Sequence, residues 1–335
     1  MLIRVPDYYD RFSCWAGACP HSCCIGWEVV LDEETVRRYE TADGPMGERV
    51  RNAMQTDEDG DRCFALQGGR CPLLNQENLC DIYCAWGEAA TSQTCREHPR
   101  FTEDYGPFRE ITLSASCPAV NALLLGSEEP LGFCTIETDE KTEEGDCWLE
   151  WLEPLRDRML FLLQDRRVPL HRRLRQVLLL AEQAQPLIDE EKTDLLIALA
   201  QSGDEPEEVQ ASGTMFPQAL ELLQDLEILE PGWDNLLEEA KTGKQTSVSE
   251  PLLERIAVYF AFRYLLKTVN DGDLVSRARF VVFSTLVVER LAAFCSLSEA
   301  LRRYSREIEH NEDNVDALLE ELSFDWREPL LGELH

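Results

Sequence analysis

The hydrophobic positions in the second half of the chain recur with the 3.6-residue period of an α-helix. Trp148, Trp151, Leu152 and Leu155 fall on one face of such a helix, and a second apolar face begins at Leu170. The same period predicts further helices at 189–201, 217–229, 233–241, 251–269, 274–296, 298–310 and 313–322. We expect a helical bundle in which 251–269 and 274–296 are the most buried pair, because both are apolar around most of their circumference.

The first half of the chain lacks this period and alternates short apolar runs with turn residues. Residues 27–31 are typical of a short strand, and Asp32 is a suitable N-cap for a short helix that extends to Tyr39. Residues 135–146 are almost wholly polar and acidic, which indicates a domain boundary. The predicted fold is mainly α: an irregular cysteine-rich domain over 1–134, with short strands and helices around a metal site, precedes an all-helical domain over 148–330.

Cysteine is distributed unevenly, and this asymmetry changes the expected chemistry. Of the 13 cysteines, only Cys295 follows residue 150. The first residues show no secretory signal, and the longest apolar run, 280–288, is far shorter than the ~20 residues of a membrane span. We expect a cytoplasmic protein with reduced thiols, in which clustered cysteines indicate metal binding or catalysis rather than disulfides.

The charge of the chain restricts its partners. A formal net charge of −32, from 64 acidic and 32 basic residues, opposes binding to nucleic acid and favours the approach of cationic substrates. The acidic residues are spread along the whole chain, so the same charge also serves solubility. We expect neither a nucleic-acid nor a membrane partner.

The densest cysteine segment holds Cys14, Cys19, Cys23 and Cys24 within eleven residues. Adjacent side chains project in different directions in a regular backbone. The pair Cys23 and Cys24 therefore serves two metals, or one metal and one structural role, more easily than a single ion. The spacing lacks the two C-x2-C knuckles of a zinc ribbon, which favours an iron–sulfur cluster and leaves zinc as the alternative metal.

A second cysteine region extends from residue 63 to residue 117. With the first region it supplies eight candidate ligands in recognisable settings: Cys14, Cys19, Cys23, Cys24, Cys71, Cys80, Cys95 and Cys117. Eight thiols suffice for two four-thiolate sites, or for one cluster with the other thiols structural. Cys84 is a reserve candidate, because one helical turn separates it from Cys80.

Other catalytic signatures are absent from the sequence. It contains no glycine-rich phosphate loop, dinucleotide fingerprint or serine nucleophile elbow. A polar segment at 304–314 places Arg306, Glu309 and His310 on one helical face. The favoured interpretation of this segment is a solvated helix end with salt bridges.

The cysteine motifs resemble a known family. Similarity to the second half of the cysteine-rich zinc- or iron-chelating family lies in Cys71-Pro-Leu-Leu, Asn78-Leu-Cys80-Asp-Ile-Tyr83 and Thr94-Cys95-Arg-Glu-His-Pro99. Cys19 and Cys23-Cys24 are similar to its first half. The opening resembles the flagellin lysine-N-methylase branch of that family through Pro6-Asp-Tyr-Tyr, Phe12-Ser-Cys14, Cys23-Cys24-Ile-Gly26-Trp27 and Leu31-Asp32.

This resemblance implies an iron–sulfur protein, most simply with a 4Fe–4S cluster, that transfers methyl groups from S-adenosylmethionine to lysine ε-amines of flagellin. It implies that the cluster ligands are drawn from the eight cysteines, and it assigns no methyl-donor pocket or catalytic base. The alternative function is a non-enzymatic iron- or zinc-binding module, either a metal carrier or a structural metalloprotein.

Overall fold

A computed structural model of the chain describes residues 1–57, 60–203, 212–243 and 247–334. The chain forms two compact units. The helical unit comprises 1–10, 102–116 and 121–335, and the cysteine-rich unit comprises 11–101 and 117–120. These bounds differ from the predicted ranges 1–134 and 148–330, because strands near residues 2–6, 108–113 and 133–137 pair with one another within the helical unit.

The described residues are mainly helical, as the sequence predicted. The helices are α1 (Glu33–Glu40), α2 (Gly44–Ala53), α3 (Asp81–Trp86), α4 (Gln93–Glu97), α5 (Pro118–Leu124), α6 (Leu149–Leu163), α7 (Leu170–Asp189), α8 (Thr193–Gln201), α9 (Phe216–Asp225), α10 (Trp233–Ala240), α11 (Glu250–Tyr264), α12 (Leu274–Leu291), α13 (Leu297–Ile308), α14 (Glu312–Leu322) and α15 (Arg327–Glu333). The strands are β1 (Leu2–Pro6), β2 (Met54–Thr56), β3 (Arg62–Phe64), β4 (Arg100–Asp104), β5 (Phe108–Leu113) and β6 (Phe133–Glu137). None of the helices among these residues is long and apolar enough to cross a membrane.

Four of the strands form one sheet in the order β4-β5-β1-β6. β1 runs parallel to β5 and antiparallel to β6, so that Leu2 is opposite both Phe108 and Glu137. The sequence did not predict β1, because its partners follow it by a hundred or more residues and leave no local signal. β2 and β3 form a separate antiparallel pair, in which Gln55 is opposite Cys63.

The core of the helical unit is built on α11 and α12, which contact each other. Nearly every residue of both helices is buried, including Phe260 and Phe283, which are fully inaccessible. This confirms the prediction that the pair is the most buried part of the bundle. Asp273 begins α12 as an N-cap, since its side chain accepts a hydrogen bond from the backbone N–H of Ser276 at 2.9 Å.

The core of the cysteine-rich unit is small and includes thiols. Val29, Tyr39, Phe64 and Leu73 are buried together with Cys71, and Cys24 and Cys80 pack against them. A core of this size supplies little hydrophobic stabilisation. Additional links between its loops therefore contribute a larger share of the stability of this unit than they would in the helical unit.

Two local predictions in this unit met different outcomes. Asp32 is the N-cap of α1 as expected, since its Oδ1 accepts from the N–H of Thr35 at 2.8 Å. The predicted strand over 27–31 is wrong. That segment makes only an isolated bridge between Val30 and Cys63, because β3 already pairs with β2.

Candidate functional site

The first cysteine segment is organised around a single 3-10 turn, Ala16–Ala18. The backbone N–H of Ala16 donates to the Cys14 sulfur at 3.3 Å, and the Cys19 thiol donates to the His21 carbonyl at 3.3 Å. The turn thus lies between Cys14 and Cys19. Gly17 fits there because a Cβ at this position would lie 2.7 Å from the carbonyl oxygen of Glu77.

Backbone pairing brings the second cysteine segment to the first. The N–H of Cys71 donates to the carbonyl of Cys24 at 2.9 Å, and Ile25 forms a bridge with Arg70. The chain then turns back on itself between Cys71 and Cys80, because the side chain of Asn75 accepts the N–H groups of Glu77 and Leu79. This turn places Cys80 in a bridge with Leu74.

Cys95 is held by the start of α4. Ser92 caps this helix by accepting the N–H of Cys95 at 3.2 Å. Asp32 Oδ2 accepts the N–H of Gln93 at 3.0 Å, so one carboxylate holds the beginnings of both α1 and α4. Although burial opposes the change, these hydrogen bonds lower the pKa of Asp32 to about 2.

Cys71, Cys80 and Cys95 share two causes of a raised pKa: burial is the larger, and the charge of Cys24 acts in the same direction. Burial, with smaller contributions from the charges of Cys24, Cys95 and Cys80, raises the pKa of Cys71 to about 12. Burial likewise raises the pKa of Cys95 to about 11, with Cys24 and Cys80 acting in the same direction. Burial also raises the pKa of Cys80, and the charges of Cys24 and Cys84 act in the same direction. The backbone N–H of Cys84 donates to the Cys80 carbonyl.

Cys24 is the exception among these thiols. A hydrogen bond from Cys23 lowers the pKa of Cys24 to about 7 against the opposing effect of burial, and the Ser22 hydroxyl and the charge of Arg70 act in the same direction. The sequence did not identify Arg70 as part of the site. Its position directly before Cys71 was the available signal, because a cation beside clustered thiols favours their ionised form.

Three other thiols, Cys117, Cys19 and Cys23, have a raised pKa to which the charge of Cys14 contributes. Burial raises the pKa of Cys117, which immediately precedes α5, and the charges of Cys19 and Cys14 raise it further. Burial also raises the pKa of Cys19, with Cys14 and then Cys24 among the contributing charges. Cys23 interacts both with Cys14, before the turn, and with Cys24, after it. Its hydrogen bond to Cys24 is the largest cause of its raised pKa, and the charges of Cys14 and Cys95 contribute as well.

The predicted ligands therefore all belong to the cysteine-rich unit, and all 13 cysteines of the chain are free thiols. As placed, no three cysteine, histidine, aspartate or glutamate side chains of the described residues could hold a metal ion together. A single tetrahedral ion needs four ligands arranged around one point. Iron and zinc binding thus remain predictions at this point.

In the helical unit, the polar segment 304–314 is a buried network. Glu309 accepts hydrogen bonds from the hydroxyls of Tyr259 at 2.9 Å and Ser305 at 2.5 Å, and it pairs with Arg263 at 2.8 Å. The expectation of a solvated helix end is wrong. Two partners of Glu309, Tyr259 and Arg263, come from α11, a distant part of the chain, so that local sequence could not reveal them.

Two neighbours of Glu309 extend this network. His310 Nε2 is 2.8 Å from the Ser114 hydroxyl and 2.7 Å from the Ser116 hydroxyl. Glu307 accepts the backbone N–H groups of Leu229 and Glu230, both at 2.8 Å, and burial raises its pKa to about 7. The hydrogen bonds of Glu307 hold the end of α13 to the segment before α10, and those of His310 connect it to residues 114–116.

A cavity of about 300 Å³ lies elsewhere in the helical unit. Its lining combines one indole with several carboxylates: Trp148, Gln185, Ile188, Asp189, Glu191, Asp271, Gly272 and Asp273. One of these carboxylates is paired, since Arg277 donates to both oxygens of Asp271 at 2.7 Å. An aromatic face beside carboxylates suits a cationic group better than an anionic one.

The sequence model of the FliB lysine N-methylase C-terminal domain matches residues 156–329. The chain belongs to this family. The match covers more than half of the chain and lies within the helical unit, whereas the cysteine motifs that first indicated the family lie in the other unit. The family assignment therefore has support from two separate parts of the sequence.

Relatives align with a smaller part of the chain. The lysine-N-methylase of Salmonella typhimurium is 28% identical over 142 residues, which is 40% of this chain and 35% of that protein. The lysine-N-methylase of Salmonella choleraesuis is 29% identical over 139 residues, again 35% of its length. The flagellar biosynthetic protein FliU of Salmonella muenchen is 28% identical over 142 residues, 82% of that protein. No solved structure matches the chain.

Proposed function

We propose that this protein is a lysine N-methyltransferase that transfers methyl groups from S-adenosylmethionine to lysine side chains of flagellin. The observation that carries the proposal is the family match over residues 156–329, together with relatives named lysine-N-methylase. The name of a third relative, flagellar biosynthetic protein FliU, supports a flagellar substrate. The aligned part covers about a third of the two lysine-N-methylases, so activity and substrate are assigned to this chain as a proposal.

The reaction sets two requirements for the protein. The lysine Nζ lone pair attacks the sulfonium methyl, an N–C bond forms, the S–C bond breaks, and S-adenosylhomocysteine leaves while a proton passes to a base. Lysine has a pKa near ~10.4, so populating the free amine at neutral pH costs about 4–5 kcal/mol. The enzyme must therefore remove that proton and hold the amine in line with the methyl group.

The charge of this chain favours the first encounter with such a substrate. A net charge of −32 attracts a cationic side chain over distance. The cavity beside Trp148 would then offer an ammonium both carboxylates and an aromatic face. Because long-range attraction between exposed charges is screened by salt, this assistance weakens as ionic strength rises.

The cysteine-rich unit fits an iron–sulfur cluster through its donor chemistry. Its eight candidate ligands are free thiols on loops, and the positive charge of Arg70 acts on Cys24. Zinc is the alternative metal, because thiolates are also its usual ligands at structural sites. When bound, a cluster would link loops that a small core leaves weakly connected.

The direct test incubates the anaerobically purified chain with S-adenosylmethionine and unmethylated flagellin. Mass spectrometry of flagellin peptides should show lysines carrying added methyl groups, and none when S-adenosylmethionine is omitted. Unmodified flagellin after incubation with folded, metal-loaded protein would rule out this substrate. The same outcome with other lysine-rich proteins would rule out the methyltransferase as a whole.

The alternative is a metal-binding module without methyl transfer, which the cysteine-rich unit alone would satisfy. Calorimetry with S-adenosylmethionine distinguishes the two functions. A methyltransferase binds this donor and releases S-adenosylhomocysteine in the presence of substrate. A metal carrier or structural metalloprotein gives no binding heat and no turnover, although it retains its metal.

A further inference from the structure

The buried network around Glu309 ends at the half-buried side chain of His310. The Ser305 hydroxyl donates to a carboxylate oxygen of Glu309 at 2.5 Å, and the hydroxyl oxygens of Ser305 and Ser114 are 3.4 Å apart. The Ser114 hydroxyl is 2.8 Å from His310 Nε2, and the Ser116 hydroxyl is 2.7 Å from the same nitrogen. Ser114 and Ser305 therefore connect a partly accessible imidazole to a fully buried carboxylate, all within the helical unit.

This series of hydrogen bonds has a direction. Because the hydrogen of Ser305 is directed at the Glu309 carboxylate, the Ser305 oxygen can only accept from Ser114. The Ser114 oxygen then accepts from His310, which places a hydrogen on Nε2 and the lone pair of the neutral imidazole on Nδ1. A histidine that is oriented through one nitrogen in this way is prepared to act as a base through the other.

His310 is also the member of the network that a substrate can contact. Glu309 is 5% exposed and Tyr259 is 2% exposed, whereas His310 is half-buried. Histidine is the side chain that ordinarily takes up and releases a proton near neutral pH. A lysine ammonium needs such an acceptor before its nitrogen can attack the methyl group.

The charged groups around His310 allow it to become cationic. Arg263 on α11 is paired with Glu309 at 2.8 Å. Arg306 lies one helical turn earlier on α13, and two acidic residues begin α14 directly after this segment. The segment 114–116 contributes hydroxyls and no charge. The acidic start of α14 therefore offsets Arg306 in part when the imidazole takes up a proton.

The position of His310 in the bundle agrees with the cavity beside Trp148. Glu309 accepts a hydrogen bond at 3.3 Å from the hydroxyl of Tyr264, the last residue of α11. Residues 271–273, which line the cavity, lie between α11 and α12. A lysine attracted by the carboxylates of the cavity therefore arrives at the end of the α11–α12 pair where the imidazole lies.

We propose that His310 is the general base of the methyl transfer and that Ser114 is a positioning residue that fixes its tautomer, an inference that rests on the proposed function. One proton passes from the lysine ammonium to Nδ1 of His310. The neutral Nζ then attacks the sulfonium methyl, and an N–C bond forms as the S–C bond breaks. The imidazolium finally releases its proton to solvent, while Ser114 keeps the hydrogen on Nε2.

The test compares the full chain with His310→Gln, in which the amide can replace Nε2 as a hydrogen-bond donor but cannot accept a proton near neutral pH. In the unmodified protein, kcat/KM for flagellin methylation should fall below pH ~6.5 as the base becomes protonated. His310→Gln should lower kcat by about 10²–10⁴-fold with KM nearly unchanged, and added imidazole should restore part of the rate. Its thermal unfolding and its binding of S-adenosylmethionine should match those of the unmodified protein.

His171→Gln is the matched control, because this half-buried histidine also lies in the helical unit, 3.0 Å from Glu289. It should retain the kcat, the KM and the pH profile of the unmodified protein. Ser114→Ala should lower kcat by about tenfold without changing KM, because the imidazole is then free to adopt the other tautomer. An unchanged kcat in His310→Gln would overturn the proposal and leave the network a structural one.

Failure of this inference differs from failure of the proposed function. An unmodified protein that transfers no methyl group refutes the proposed function, and the base with it. An active unmodified protein with a fully active His310→Gln variant refutes the role of His310 alone. Should His310→Gln fail to fold, the pH profile of the unmodified protein and the kcat of Ser114→Ala decide: both expected changes support the proposal, and the absence of either overturns it.

Discussion

Single residues determine whether the loops that carry the thiols can approach one another. Gly17 permits the 3-10 turn to pass close to the carbonyl oxygen of Glu77, and Asp32 holds the starts of two helices with its two oxygens. Neither residue is a candidate ligand. Both nevertheless control where the ligands lie, because the hydrophobic core of this unit is small.

Gly17→Ala should destabilise the cysteine-rich unit. The added methyl would lie 2.7 Å from the Glu77 carbonyl oxygen, so one of the two loops must move, at a cost of about 1–3 kcal/mol. Urea denaturation followed by circular dichroism measures the change. Gly203→Ala is the control, because no atom of the described residues lies within 4 Å of the added carbon. Equal stabilities for the two variants would show that the turn is not constrained by residue 77.

Asp32→Ala should lower the free energy of unfolding by about 1–2 kcal/mol near neutral pH, since two N–H groups lose their acceptor. The lowered pKa of Asp32 sets the pH dependence. Its contribution is complete above the unfolded value of ~3.9 and disappears as pH falls through about 2. The difference between variant and parent should therefore shrink on acidification.

Denaturation at several pH values between about 6 and about 2.5 checks the prediction for Asp32. Glu34→Ala serves as its control, because this exposed residue lies on the same helix and should change stability by no more than ~0.5 kcal/mol. A destabilisation by Asp32→Ala that is constant across this range would contradict a role for the ionised carboxylate.

At the scale of whole elements, buried ion pairs fasten the sheet to the bundle within the helical unit. Arg156 on α6 donates to both oxygens of Glu110 on β5, at 2.6 and 2.7 Å, and both side chains are almost inaccessible. Arg173 on α7 makes a similar contact with Glu254 on α11 at 2.7 Å. Such pairs fix which surfaces meet, although the cost of burying charge limits their net stabilisation.

Arg156→Met should destabilise the helical unit by about 3 kcal/mol, because it leaves the buried Glu110 carboxyl with only the longer contact to Arg4 at 3.5 Å. Burial already raises the pKa of Glu110 despite the neighbouring arginine. In the variant, the pKa of Glu110 should rise further, so that this carboxyl takes up a proton on folding. Thermal unfolding and pH titration measure both effects. Arg37→Ala, at an exposed pair with Glu33, should cost less than ~0.5 kcal/mol, and an equal loss in both variants would contradict the argument.

Elements were predictable where their stabilising contacts are local. The period of apolar residues identified α6 and α7, and the N-cap Asp32 located the start of α1. α2 was missed because Gly44, Pro45 and Gly47 weaken its helical signal, and the helix depends instead on burial of Val50. β1 depends on pairing with distant strands, which no local pattern encodes.

The candidate site, too, was predictable only as far as local sequence determines it. Residue type and spacing indicated which cysteines could bind metal, and the structure places all eight in one unit. The approach of the second cysteine segment to the first depends on the turn at Asn75 and on the pairing of residues 24–26 with residues 69–71, which are tertiary features. The buried partners of Glu309 were likewise invisible, because Tyr259 is distant in sequence.

At the scale of the whole molecule, the candidate ligands and the family match occupy different units. If the proposed cluster is bound, removing its iron from the anaerobically prepared protein with a chelator should therefore affect one unit selectively. Hydrogen exchange should accelerate in peptides from residues 14–97, whose loops lose their shared ligand, and stay unchanged in α11 and α12. Acceleration of equal size in both regions would show that iron stabilises the whole chain, contrary to the prediction.

The central position of β1 in its sheet has a consequence for biosynthesis. This strand leaves the ribosome long before β5 and β6, which pair with its two edges. The entire cysteine-rich unit up to residue 101 is translated in the interval, so it can begin to fold before β1 has either of its neighbours. Until then both edges of this strand are unpaired, and an unpaired strand edge can pair with another chain.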